Sequence, residues 1–249
     1  MFFTAGTQRR REMRTQWKSL FYSAPLRLCG EKNENQQSPN FVILHMLSPK
    51  KYSYLALGDS YSIGEALPLA ESFPYQTIQL LRKAGYDFQA AEIIAKTGWT
   101  TDELLGAISQ TIFATTYDFV SLLIGVNNQY RGMPIEEYSS TFEILLQKAI
   151  SFSDKRNDHV FVLSIPDWGA TPIAIDRNPA FISAQIDLFN EVNKTIALQY
   201  NVNYLDITEE TRKAATDESL LAADKLHPSG KAYSIWAEEL VKKIETCVD

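Results

Sequence analysis

Histidine is scarce in this chain: His45, His159 and His227 are the three it has. A metal site built on several histidines is therefore excluded, and any histidine general base must be one of these. Many serines are present, but the context of one sets it apart. Ser60 follows Gly58-Asp59 at the end of the apolar run 52–57. A hydroxyl just past the carboxyl end of a strand sits where α/β sheets place their chemistry. Such a hydroxyl is a weak nucleophile until a neighbouring base takes its proton. Near the far end of the chain lies Asp224-Lys225-Leu226-His227-Pro228. A carboxylate three residues before an imidazole can accept its Nδ1 proton, fix its tautomer and stabilise the imidazolium. Together these groups would carry out acyl transfer through a serine, which also needs donors aimed at a developing oxyanion. Three candidates are the N–H of Ser60, the N–H of Gly98 (a residue with no Cβ to keep substrate away) and the side-chain amide of Asn127.

Those residues lie far apart in sequence, so the fold must bring them together. Strand-like runs occur at 52–57, 88–95, 118–124, 159–165 and 202–207, with helix-like segments between them. Ser72 precedes Phe73-Pro74, which puts a proline in a first helical turn. Thr100 and Glu103 form a capping box ahead of Leu104, Leu105 and Ile108. Pro134, Pro179 and Ser229 open three further helices whose apolar residues recur at helical spacing. Strands that are apolar throughout and alternate with helices predict a parallel sheet covered on both faces. Five strands fit a three-layer α/β/α sandwich of flavodoxin type, in which the order 2-1-3-4-5 leaves a switch point between the first and third strands. All the strands then end on one edge, where the stretches after them converge: Gly58-Asp59-Ser60, Lys96-Thr97-Gly98-Trp99, Gly125-Val126-Asn127-Asn128 and Pro166-Asp167-Trp168-Gly169. His159 heads a strand and so falls at the opposite edge, and His45 precedes the first strand. His227, just before the last helix, is the base this topology can deliver to Ser60.

Each piece alone has a plainer reading. Gly-Asp-Ser is a common turn, Gly98 can end a strand, Gly125 and Asn127 suit a tight turn, and Asp-x-x-His-Pro can be a cap and a turn. The conjunction, in the one chain order that brings them together, points to a site. In these four blocks the chain resembles the SGNH hydrolases, also called GDSL esterases and lipases, across residues 52–245. The blocks fall on Ser60, Gly98, Asn127 and His227. Lys96 stands where the family usually has an asparagine two positions before the glycine, and Asn128 where it usually has an aspartate. The resemblance implies ester hydrolysis through an acyl-serine. Ser60 would attack, His227 would act as base and then acid, Asp224 would orient it, and Ser60, Gly98 and Asn127 would hold the oxyanion. It implies no metal and no organic cofactor. The same acyl-enzyme would serve an acyltransferase onto a glycan or alcohol, and a non-catalytic binding protein on the same fold is the remaining reading.

Trp99, Asn128, Tyr130, Arg131 and Trp168 are expected around the mouth. Aromatic rings there could stack on a sugar or line an acyl slot, and Arg131 could pair with a phosphate or carboxylate. Lysophospholipids, short-chain esters and acetylated sugars are the corresponding substrate classes; the same side chains could equally pack the loops together. The 249 residues carry a net charge of −6, unevenly spread. Residues 1–45 hold seven basic and three acidic side chains, leaving 17 basic and 27 acidic in the remainder. A body of net charge −10 disfavours a nucleic-acid or anionic-membrane footprint. No apolar stretch approaches the roughly 18–20 residues of a membrane span. Cys29 and Cys247 carry neither metal nor redox spacing. Residues 1–45 read as a leader or disordered extension ahead of a domain spanning 46–249, Met46 being a plausible later start. Met13, Trp17, Leu20 and Phe21 fall at helical spacing beside Arg9, Arg10, Arg11, Arg14 and Lys18, so a membrane-touching or targeting helix is the second reading of this segment. The default compartment is the cytoplasm, with export left open by that basic segment.

Overall fold

In the computed structural model the described residues are 50–248, so the leader, His45 and Cys29 lie outside them. The chain enters through a two-residue strand, β1 (Lys51–Tyr52), and the first strand of the main sheet, β2 (Tyr54–Asp59). The short helix α1 (Ser60–Ile63) follows without a linker, and then α2 (Phe73–Lys83). Next come β3 (Asp87–Phe88), β4 (Glu92–Lys96), α3 (Thr101–Gln110), β5 (Phe119–Leu123), α4 (Val126–Tyr130) and α5 (Ile135–Phe152). β6 (Val160–Leu163), α6 (Pro179–Gln199), β7 (Asn203–Leu205), α7 (Thr208–Arg212) and α8 (Gly230–Ile244) complete the described chain.

The main sheet has the order β4-β2-β5-β6-β7 with every pair parallel, which is the 2-1-3-4-5 arrangement of the flavodoxin type. Right-handed crossovers put α2 on one face and α3, α5 and α6 on the other, because the chain reverses direction across the sheet after β4. α8 returns to the α2 face, where Phe73 packs on Tyr233 and Trp236 with ring centroids 6.3 and 6.1 Å apart. On the other face Tyr138 of α5 meets Phe189 of α6 at 4.7 Å. β2, β5 and β6 are buried at every position, and Leu57 pairs with Ile94 on one side and Leu122 on the other. Each such Leu, Ile or Phe contributes about 1.5–3 kcal/mol on full burial, so the centre of the sheet is the most strongly held part of the structure.

The sheet edges differ from the expectation that all five strands are covered on both faces. β4 is half-buried over its first four residues and exposed at Lys96, and β7 is only three residues long. β7 ends early because the N–H groups of Ile207 and Thr208 turn to the Ser164 hydroxyl, at 2.8 and 3.2 Å. The first strand is also broken, between β1 and β2. At Ser53 the N–H donates to the Asp118 carboxylate at 2.9 Å and so leaves the ladder. β1 instead pairs with β3 as a separate two-stranded piece. Among the described residues no helix is long and apolar enough to cross a membrane.

Candidate active site

The strand-to-helix elbow at Ser60 is built by its neighbours. Gly58 and Asp59 are the last residues of β2, and Ser60 is the first of α1. Asp59 caps that helix, its Oδ1 accepting from the Tyr61 N–H at 3.0 Å. Gly64 ends the helix in a left-handed conformation, φ 74°, with its N–H on the Ser60 carbonyl. Ser60 therefore lies in the first turn of a helix, where backbone N–H groups have no partner within the helix. Gly58 has a steric reason to be glycine. A Cβ there would lie 2.5 Å from the Leu123 carbonyl oxygen and closer still to Ser62 Oγ.

His227 reaches this elbow from the turn before α8. Its Nε2 lies 3.0 Å from Ser60 Oγ, and its Nδ1 lies 2.6 Å from Asp224 Oδ2. The other Asp224 oxygen accepts the N–H groups of Leu226 and His227, both at 3.0 Å, so the carboxylate is fixed by its own turn. Ala222 N–H to His227 O and Ser229 N–H to Leu220 O, each 2.8 Å, tie the turn to the segment before it. Partial burial pushes the Asp224 carboxyl up, but the His227 hydrogen bond, the two backbone N–H groups and the imidazole charge outweigh it, leaving it below the usual carboxylate range. An ionised carboxylate only accepts, so Nδ1 carries the imidazole proton and Nε2 is left to accept from the serine hydroxyl. Ser60 and His227 are 4% and 7% exposed, shielded from water while the ring still opens on the cleft. Asp59, by contrast, is wholly buried; burial raises its carboxyl to about 7, although the Tyr61 N–H acts the other way.

Gly98 stands at the third position of the turn 96–99, where the Trp99 N–H donates to the Lys96 carbonyl at 3.2 Å. Its φ of +82° is the conformation a type II turn requires there, which accounts for glycine. Asn127 sits in the first turn of α4, and its Nδ2 donates to the Trp99 carbonyl at 2.9 Å. A primary amide has two N–H donors, so a second remains for a ligand. Ser60, Gly98, Asn127 and His227 all line one cleft of about 190 Å³, which Tyr130 and Trp168 also border. The Trp168 ring is held by its Nε1–H on Gln129 Oε1 at 2.8 Å and by edge contact with Tyr130 at 5.3 Å.

Three residues expected at the mouth are not among those that line this cleft. Asn128 is fully buried, with its Oδ1 accepting the Thr101 N–H at 3.0 Å and its Nδ2 donating to Thr101 Oγ1 at 2.9 Å. An amide can donate and accept at once, so asparagine joins the two loops without burying a charge. Trp99 packs against the core. Arg131 turns onto the Gly98 carbonyl and Glu103. His159 is at the amino edge of the sheet, with Nδ1 bonded to the Asp118 carbonyl at 2.7 Å and its ring stacked on Phe119. Sequence reasoning missed Tyr61, Thr97, Val126, Ile173 and Leu226 in the cleft wall. Of these, Tyr61, Thr97, Val126 and Leu226 are chain neighbours of site residues and could have been found from that. Ile173, in the loop after β6, carries no signal.

The comparisons with known proteins bear on the family and the fold. The GDSL-like Lipase/Acylhydrolase family matches residues 56–235, so the chain belongs to this family, the SGNH hydrolases. It is a hydrolase of carboxylic esters. An arylesterase of Vibrio mimicus is 26% identical over 211 residues, covering 82% of this chain and 96% of the relative. The crystal structure of TesA superposes with a TM-score of 0.63 at 19% identity, covering 79% of this chain and 99% of TesA. The acetylxylan esterase Axe2 from Geobacillus stearothermophilus gives 0.62 at 18% identity, covering 78% and 94%. Both superpositions speak to the fold.

Proposed function

We propose that the protein cleaves small-molecule carboxylic esters through an acyl intermediate on Ser60. The observation that carries this reading is the unbroken chain Asp224–His227–Ser60, at 2.6 and 3.0 Å, opening on the cleft. His227 Nε2 takes the hydroxyl proton as Ser60 Oγ attacks the ester carbonyl, and the imidazolium is stabilised by Asp224. The tetrahedral oxyanion is held by the N–H groups of Ser60 and Gly98 and by Asn127 Nδ2. His227 returns the proton to the leaving alkoxide, which departs as the alcohol. It then takes a proton from water, whose attack on the acyl-serine releases the acid and restores Ser60.

The walls favour an apolar acyl or aryl group. Tyr61, Val126, Tyr130, Trp168, Ile173 and Leu226 all border the cleft. At about 190 Å³ it is smaller than the roughly 300–1,000 Å³ of typical small-molecule pockets, which favours short acyl chains or a single ring. The names of the relatives, an arylesterase and an acetylxylan esterase, support a substrate in this range. The test is hydrolysis of a p-nitrophenyl ester series from acetate to decanoate. kcat/KM is expected to be highest at the short end, and Ser60→Ala and His227→Ala each to lose about 10³-fold or more in kcat. Unchanged hydrolysis by both variants would remove the reading.

A further inference from the structure

α4 and the residue after it reach across to the loop between β4 and α3 at successive points. Arg131 Nη2 donates to the Gly98 carbonyl at 2.5 Å, Asn127 Nδ2 donates to the Trp99 carbonyl at 2.9 Å, and Asn128 Oδ1 accepts the Thr101 N–H at 3.0 Å. Arg131 is held in turn by Glu103, whose Oε2 is 3.2 Å away and also accepts the Thr100 N–H at 2.9 Å. The Arg131 guanidinium is thus tied to a backbone carbonyl and to the capping carboxylate of α3.

Those contacts hold the turn that carries the Gly98 N–H. That N–H belongs to the Thr97–Gly98 peptide and the Gly98 carbonyl to the peptide that follows, so a bond to the carbonyl fixes the Cα between them and with it the place of the donor. Gly98 has no side chain of its own to anchor it, and glycine is conformationally permissive; a Cβ there would meet only Arg131 Nη2, at 3.8 Å. The turn must be held by its neighbours. On one side the Thr97 hydroxyl donates to the Glu65 carboxylate, and on the other Arg131 takes the Gly98 carbonyl.

We propose that Arg131 is a positioning residue for the oxyanion: by holding the Gly98 carbonyl it fixes where Gly98 stands in the 96–99 turn, and with it the N–H offered to the ester. This rests on the esterase reading above. It also replaces the expectation that the guanidinium meets a substrate phosphate or carboxylate. Such a role stabilises the transition state and leaves ground-state binding alone, so its loss falls on kcat rather than KM.

The test measures kcat and KM on a neutral and an anionic aryl ester for wild type, Arg131→Ala, Arg131→Lys and Glu103→Gln, with Ser60→Ala as the blank. Complete loss of an oxyanion donor costs about 10²–10³ in kcat. A donor left in place but loosely aimed is expected to cost roughly 10–100-fold, as a displacement near 1 Å does. Arg131→Ala should show this fall equally on both esters, with KM within about threefold. Lysine cannot fork between the Gly98 carbonyl and Glu103, so Arg131→Lys should fall between alanine and wild type. Glutamine can serve in a capping box, so Glu103→Gln keeps the cap, removes the ion pair and should lower kcat without adding to Arg131→Ala. Should Arg131→Ala fail to fold, the lysine and glutamine variants carry the same test. A raised KM on the anionic ester alone, or unchanged kcat in all three variants, would overturn the proposal while leaving the esterase reading standing. Wild type no faster than Ser60→Ala would overturn both.

Discussion

At the scale of single residues, the buried carboxyl of Asp59 is the group the proposed mechanism leaves unused. Its Oδ1 caps α1 through the Tyr61 N–H, and burial raises its pKa to about 7. An unfolded aspartate titrates near 3.9, so between about pH 4 and 7 the native state holds a proton that the unfolded chain has released. The slope of unfolding free energy with pH follows protons bound in the unfolded state minus those bound in the native state. It is negative here, so this group lowers stability as pH rises through that window and adds nothing further above it. Asparagine keeps the capping oxygen and has no charge to bury. Asp59→Asn should therefore gain on wild type in urea unfolding at pH 8 relative to pH 5. A difference that does not change with pH would count against a buried, proton-retaining Asp59.

At the scale of elements, the elbow between β2 and α1 depends on Gly58. An alanine Cβ there would press on the Leu123 carbonyl and on Ser62, which belongs to the same helix as Ser60. Overpacking of this kind costs about 1–3 kcal/mol, and for a domain of this size each kcal/mol lowers Tm by about 2–4 °C. Gly58→Ala should lower Tm by several degrees and reduce esterase turnover together, measured by thermal unfolding and steady-state kinetics. What could be read from sequence follows the same physics. β2, β5 and β6 stand out because strands buried on both faces are continuous apolar runs, and α3 because Thr100 and Glu103 mark its start. α1, α4 and α7 span four or five residues, too few for a 3.6-residue period to show. The break at Ser53 is set by Asp118, 65 residues away, which no local pattern records.

At the scale of the whole molecule, one sheet edge collects groups separated by 167 positions, from Ser60 to His227. That convergence was legible because histidine is so scarce and because parallel strands must all end on the same edge. The cleft wall was legible only in part. Ile173 is an apolar residue among many, and only tertiary placement makes it lining rather than core. Arg131 left two readings open for a related reason: a cation in a loop gives no local sign of whether its fork meets a ligand or a backbone carbonyl. The central claim is that this convergence makes Ser60 the nucleophile. Its most direct test is labelling with a fluorophosphonate, followed by mass spectrometry of the modified peptide. The account predicts one adduct, on Ser60, slowed strongly in His227→Ala and absent in Ser60→Ala. An adduct on another residue, or undiminished labelling of Ser60→Ala, would contradict it.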